Sequence, residues 1–196
     1  MKKLIISALV LLIIVLGNTS CNNETTKEDA IDHLDKICQY ALPASKEYQA
    51  FGDVFFNVIN EALLKMTADE YIIVLNQENY NKVNKSFNDA IATLKKTVES
   101  LEQIDNIDDP FNLKQEYANY YKTLIKNSNT NLKPIISDFN KDGFDSSDAA
   151  KLDAIINDFE QVQENGTKIF DIIRDYMDHF AFTKEDIDYF ATTYPF

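Results

Sequence analysis

The stretch VNKSFNDAIATLKKTVESL, residues 83–101, decides the fold, because its apolar residues recur at steps of three and four. Val83, Phe87, Ile91 and Leu94 follow one another at these steps, and mostly polar residues fill the positions between them. An α-helix turns once every 3.6 residues, so this spacing places the apolar side chains along one face. The stretch therefore predicts an amphipathic helix that packs against other elements through that face.

Three further segments show the same spacing, and their apolar faces start at Ile31, Leu113 and Leu152. The connections between the four segments are short, which forces neighbouring helices to run antiparallel. We therefore predict an all-α fold over residues 30–196, an up-down-up-down four-helix bundle followed by a short C-terminal helix. The last helix should begin at a capping sequence that starts with Thr183.

Proline, aspartate and glycine mark the ends of the predicted helices. Pro43 and Pro134 lie inside helices, and each should kink its helix or divide it in two. The pair Asp109–Pro110 should cap the third helix and place proline at its first position. Thr67 opens a capping box for the second helix, and Gly143 should stop the third.

Small residues occupy parts of two facing helices. In an antiparallel bundle, Ser45 and Gly52 of the first helix should lie opposite Gly166 and Phe159 of the fourth. Small side chains let two helices approach closely, and natural interiors leave few voids, so we expect close packing here. A ligand cavity near Pro43 is the alternative.

Aromatic residues crowd the third helix and the C-terminal tail. Tyr117, Tyr120 and Tyr121 lie within two turns of the third helix. Such residues usually belong to a core, although tyrosine also suits half-hydrated interfaces, so an outward patch for a partner is the alternative. We expect the tail to fold back over the open end of the bundle.

The N-terminus differs in character from the rest of the chain. Two lysines precede an apolar run from Leu4 to Leu16, in which Ser7 is the only polar residue. Charge followed by an apolar run is the signature of a secretory signal peptide. A helix of this length rises about 20 Å, short of the roughly 30 Å hydrocarbon core, so the run does not suit a permanent transmembrane helix.

Residues 18–21, Asn-Thr-Ser-Cys, resemble the lipobox of bacterial lipoprotein precursors, in which an aliphatic residue and two small residues precede an acylated cysteine. Thr19 and Ser20 match the two small places, whereas Asn18 stands in the aliphatic place. The resemblance implies that Cys21 carries lipid and becomes the first residue of the mature chain. An ordinary free thiol at this position is the alternative.

The resemblance divides the chain into a lipoprotein signal peptide over residues 1–20, a polar tether over residues 21–29 and the helical domain. Several acyl chains hold a protein firmly on a bilayer. Asn22, rather than aspartate, follows the cysteine, which in enterobacterial lipoproteins implies the outer membrane. We therefore expect a lipid-anchored protein of the bacterial cell envelope that faces the periplasm or the cell surface.

The charge of the chain argues against nucleic acid as a partner. The formal net charge is −13, and removal of residues 1–20 takes away two lysines and no acid, which gives −15. Phosphate binding needs a basic surface instead.

If Cys21 is acylated, Cys38 is the only remaining thiol, and its place on an apolar face indicates a core residue.

Residues 138–143 resemble the first half of an EF-hand loop. The side-chain oxygens of Asp138, Asn140 and Asp142 have the alternating spacing that suits calcium. The twelfth position lacks the bidentate glutamate, although Asp148 could reach in from one residue earlier. The loop therefore predicts weak calcium binding at most, and a helix stop followed by a turn is the alternative.

The two histidines form a second candidate metal site. His33 and His179 each follow an aspartate and have another one turn earlier. Both should lie at the tethered end of the bundle, where two imidazoles and nearby carboxylates could hold zinc. Surface histidines beside acidic residues are the alternative.

The chain contains no phosphate-binding loop, nucleophile elbow or Cys-x-x-Cys-His haem motif. We therefore expect a non-catalytic protein with no cofactor besides the lipid on Cys21. Its helical domain should bind a protein, an envelope polymer or a small ligand. A metal-binding envelope protein is the alternative.

Overall fold

The structure, a computed structural model, describes residues 25–65, 72–140, 143–145 and 149–194. The side chains at positions 149, 152, 158, 159 and 163 are outside that description. Several predicted features also lie outside the described residues: the signal peptide over residues 1–20, the lipidated Cys21, the cap at Thr67, and the candidate calcium ligands Asp142 and Asp148.

The described residues form an all-α protein, as predicted. The helices and two short strands are α1 (Lys27–Leu63), β1 (Ile72–Ile73), α2 (Gln77–Glu102), α3 (Leu113–Asn127), α4 (Lys133–Asp138), β2 (Phe144–Asp145), α5 (Ala149–His179) and α6 (Lys184–Thr193). A π-helical turn, Ser128–Leu132, joins α3 to α4. Among the described residues, no helix has the length and apolar character that crossing a membrane requires.

The apolar faces predicted from the spacing meet in one core. Helix α1 packs on α2, α2 packs on α3, and α3 packs on α5. The α2 residues Val83, Phe87 and Leu94 are buried, and Phe87 meets Phe51 of α1 edge to face with ring centroids 5.4 Å apart. Burial of each such side chain contributes about 1.5–3 kcal/mol, which makes this face the main stabilising feature of α2.

Helix α1 begins inside the predicted tether and continues through its proline. The side chains of Thr26 and Asp29 each accept the other's backbone N–H, so residues 27–29 form the first helical turn. The helix is not divided at Pro43. Ala41 and Ala44, on either side of Pro43, are both buried, and the helix continues although proline cannot make its helical hydrogen bond.

The second proline is accommodated by the π-helical turn. The N–H of Lys133 bonds to the carbonyl of Ser128, five residues earlier, and Pro134 then lies in the first turn of α4. Proline is favoured in the first turn of a helix because its fixed φ suits the helical backbone. The predicted interruption thus takes the form of a change in helical hydrogen bonding.

The third predicted helix begins later than its cap suggests. The carboxylate of Asp109 accepts backbone N–H groups from Phe111 and Leu113. Asn112 has a φ of 50°, outside the right-handed helical region, so α3 starts only at Leu113. The prediction that Pro110 takes the first helical position is therefore wrong, because Asp109 caps a turn that precedes the helix.

A short β-ladder joins two connections, which the spacing does not predict. Strands β1 and β2 pair antiparallel, with Ile73 opposite Phe144. Gly143 precedes β2 with a φ of 79°, and its N–H bonds to the carbonyl of Asp138 at the end of α4. A Cβ at Gly143 would collide with Ile72, so the ladder requires glycine at this turn.

The short C-terminal helix is confirmed. Thr183 and Asp186 form the predicted capping box at the start of α6. The hydroxyls of Tyr189 and Tyr194 both donate to one carboxylate oxygen of Asp35, at 2.9 and 2.7 Å. The aromatic tail therefore folds back onto the first turns of α1.

Candidate functional site

An apolar groove lies between α1, α3 and α5. It consists of two adjoining cavities of about 250 and 380 Å³. Both are lined by Ser45 and Gln49 of α1 and by Tyr120 and Tyr121 of α3. Apolar side chains complete the walls: Leu42, Tyr48, Phe56, Leu124, Val162, Ile169, Phe170 and Ile173. We call this surface the tyrosine groove.

The groove lies where the sequence predicts close packing of small residues. Ser45, Gly52 and Gly166 all line it, but a Cβ added at Gly166 would have no atom within 4 Å. The prediction of a close approach is therefore wrong at Gly166, where the structure contains the alternative, a cavity near Pro43. The side chain of Phe159, the fourth residue of that prediction, lies outside the described part of the chain.

Hydrogen bonds join α3 to α1 beside the cavity. The buried hydroxyl of Tyr121 donates to the carbonyl of Ala41 at 2.9 Å and lies 3.0 Å from the hydroxyl of Ser45. A phenol has one proton, so Ser45 donates in the second bond. Tyr121 thus fastens α3 to the part of α1 that a close approach of α5 would cover.

A second buried bond fixes the neighbouring part of α1. The hydroxyls of Tyr48 and Ser128 are 2.8 Å apart. Ser128 opens the π-helical turn, and its side chain is buried. The turn that accommodates Pro134 therefore also supplies a polar partner for a tyrosine of the groove wall.

The third tyrosine of α3 has no such partner. Tyr117 is 4 % exposed and lines the smaller cavity. Among the described residues, no group forms a hydrogen bond with its hydroxyl. Burial raises the pKa of Tyr117 well above its usual value, and Cys38 and Tyr121 act in the same direction, so the hydroxyl keeps its proton. Tyr117 is a buried donor without an acceptor.

Aromatic side chains also stand at the rim of the groove. Phe56 and Phe170 line the two cavities and are 44 % and 52 % exposed. Exposed apolar side chains beside a concave apolar surface are typical of binding sites. The rim charges are one lysine, Lys46, and one aspartate, Asp53, both exposed.

A polar cavity of about 450 Å³ lies between α1 and the loop that precedes α3. It is lined by His33, Asp109 and Lys114, among others. His33 is buried, which corrects the interpretation of both histidines as surface residues. Burial lowers the pKa of His33 and outweighs the opposing charge of Asp109, so the imidazole is neutral near pH 7.

The structure does not bring a metal site together from the histidines. His179 is exposed, and its ring meets Phe111 edge to face with centroids 5.5 Å apart. His179 does not line the cavity of His33. Within the described ranges, no three His, Cys, Asp or Glu side chains form a group that could hold a metal. The zinc site at His33 and His179 stays a prediction.

The predicted calcium loop is described only in part. Asp138 pairs with Lys151 at 3.0 Å, and Asn140 is exposed at the end of α4. Asp142 and Asp148 lie outside the described residues. A cation would have to compete with the ammonium group of Lys151 for Asp138, and calcium binding here stays a prediction.

Cys38 is a buried free thiol, and burial raises its pKa to about 12. Its burial confirms its interpretation as a core residue.

Comparison of the chain with protein-family models, with curated proteins and with solved structures finds no match.

Proposed function

We propose that this chain is a lipid-anchored envelope protein whose helical domain binds a small apolar molecule in the tyrosine groove. The observation that carries the proposal is the open space at Gly166, where two helices would otherwise pack. Ligand sites in proteins are concave and mainly apolar, with a few polar groups that orient the ligand. The tyrosine groove has this composition.

The sequence supports the anchor. An apolar signal-like run leads to the lipobox-like residues 18–21, and a polar stretch follows Cys21. Acyl chains on that cysteine would hold the domain at the membrane, and Asn22 favours the outer membrane. The strongly acidic mature chain would then remain hydrated above the bilayer surface.

We also infer an up-down-up-down order for the four long helical segments, α1, α2, α3 to α4, and α5. Helix α1 packs on α2, α2 packs on α3, and α3 packs on α5, so each segment contacts the one that follows it. The hydroxyl of Tyr176, near the end of α5, donates to the carbonyl of Ala30 near the start of α1, at 3.0 Å. The fourth segment thus ends beside the beginning of the first, as that order requires.

Binding without catalysis suits the groove walls. Lys46 and Asp53 are the charged residues described along the groove, both at its rim, and no histidine or cysteine of the described ranges lines it. Tyr121 keeps its proton, because burial raises its pKa. General acid–base catalysis needs a group that titrates near the working pH. The described walls offer shape and apolar contact instead.

Two measurements test the proposal. Metabolic labelling with a palmitate analogue should mark the wild-type chain and leave Cys21→Ser unmarked, and an unlabelled wild type would refute the anchor. The fluorescence of N-phenyl-1-naphthylamine, an apolar probe, should rise with the wild-type protein more than with Gly166→Leu. The leucine would occupy the groove without a clash at its Cβ. An equal rise with both proteins would refute the groove as the binding site.

A further inference from the structure

We propose that the tyrosine groove selects small neutral molecules that carry a hydrogen-bond acceptor, such as a ketone oxygen, and that Tyr117 donates to this acceptor. The inference rests on the proposed function and specifies the chemistry of the ligand. It depends on the contrast between Tyr117 and the other two tyrosines of α3.

The three tyrosines differ in their hydrogen bonding. Tyr121 uses its hydroxyl fully, as donor to Ala41 and acceptor from Ser45. Tyr120 is only half-buried and lines both cavities, so water reaches it. Tyr117 alone of the three combines near-complete burial with the absence of a partner among the described residues.

An unpaired hydroxyl at a buried position is unfavourable, and buried polar groups in proteins almost always have a partner. Tyr117 lines the smaller cavity, and the proposal places the acceptor of a ligand bound there at the hydroxyl of Tyr117. The hydroxyl keeps its proton, because burial raises the pKa of Tyr117. A ligand with an acceptor therefore gains a bond that a hydrocarbon of the same shape does not.

The size and charge of the groove restrict the ligand further. An apolar cavity of about 150 Å³ holds one benzene molecule, so cavities of about 250 and 380 Å³ suit molecules of one or two rings. The rim charges, Lys46 and Asp53, are both exposed and opposite in sign. A charged ligand would lose its hydration in the apolar interior without a buried counter-charge, so the ligand should be neutral.

A matched pair of fluorescent probes tests the inference. The first is 6-propionyl-2-(dimethylamino)naphthalene, and the second has a methylene group in place of the carbonyl. Both are titrated into the lipidated mature protein in lipid nanodiscs. The same nanodiscs with Gly166→Leu give the background from probe that partitions into lipid. The ratio of the two dissociation constants measures the contribution of the acceptor.

We expect Tyr117→Phe to reduce the preference for the ketone by about 2- to 12-fold, the net effect of one neutral hydrogen bond. Tyr40→Phe, at an exposed tyrosine of α1 outside both cavities, is the matched control and should leave the preference unchanged. An unchanged preference in Tyr117→Phe would overturn the inference while the proposed function stands. Probes that bind wild type no better than Gly166→Leu would overturn both.

Thermal melting without probe supplies a second readout. Tyr117→Phe removes a hydroxyl that has no partner, so it should melt no lower than wild type. Tyr121→Phe, which removes two hydrogen bonds, should melt lower. A clear loss of stability in Tyr117→Phe would show that the hydroxyl is already bonded inside the protein, and the inference would fail.

Discussion

Substitution of Gly166 by alanine distinguishes between an open groove and a closely packed helix interface at this position. Gly166 lies inside α5, where glycine is unfavourable because it loses more backbone freedom than alanine on folding. If α1 and α5 packed closely at this residue, a methyl group would have to displace its neighbours. Among the described residues, no atom lies within 4 Å of a Cβ placed at Gly166.

The expected magnitude follows from helix propensity alone. Glycine in a helix interior is about 0.8–1.0 kcal/mol less favourable than alanine, and no steric penalty offsets this gain at Gly166. We therefore expect Gly166→Ala to stabilise the protein by about 1 kcal/mol. For a domain of this size, the melting temperature should rise by about 2–4 °C. Overpacking at a closed interface would instead cost about 1–3 kcal/mol.

Urea denaturation followed by circular dichroism measures this change. The urea concentration at the midpoint should rise. The slope of the free energy of unfolding against urea concentration should stay unchanged, because the substitution hardly alters the surface exposed on unfolding. Gly143→Ala is the matched control and should lower the midpoint, because its φ of 79° and its contact with Ile72 exclude a side chain. A lower midpoint for Gly166→Ala would refute the open groove.

Further predictions concern pH, the tail and metal binding. Burial lowers the pKa of His33, so its contribution to stability is present above the usual histidine value and is lost as the pH falls. The melting temperature should drop between about pH 7 and 5, and less so in His33→Gln. Hydrogen bonds from Lys27 and from the α6 cap lower the pKa of Asp186 to about 2. The protection of α6 amides from hydrogen exchange, taken relative to the intrinsic rate at each pH, should therefore be constant above about pH 4, fall toward pH 2, and be lower in Asp186→Asn. Asp35→Ala removes the shared acceptor of two tyrosines and should cost about 1 kcal/mol in urea denaturation. Millimolar calcium should leave the melting temperature unchanged, because Asp138 is already ion-paired, whereas a rise that Asp138→Ala abolishes would establish a calcium site.

The apolar spacing suffices to predict the helices. Each helix needs one buried face, and the residues of that face recur every three or four positions in the sequence. Local capping is equally readable, as Thr183 shows. The start of α3 is harder to predict from the sequence. Whether Asp109 caps a helix or a preceding turn depends on the left-handed backbone of Asn112, which the residue types do not specify. The two-residue β-ladder is too short to show any periodicity.

The groove could not be predicted from the sequence for a different reason. Small residues such as Ser45 and Gly166 permit a close approach of two helices, but they do not enforce it. Whether α1 and α5 pack closely depends also on a third helix, α3, because its Tyr121 forms hydrogen bonds with α1 beside the groove. The bond between Tyr48 and Ser128 joins residues 80 positions apart and depends on a π-helical turn. Local spacing carries no signal for such pairs.

Native mass spectrometry of the protein, purified from the cells that produce it, tests the central claim most directly. Wild type should retain a small neutral molecule, and Gly166→Leu, purified in the same way, should be free of it. The same adduct on both proteins, or none on wild type, would contradict ligand binding in the tyrosine groove.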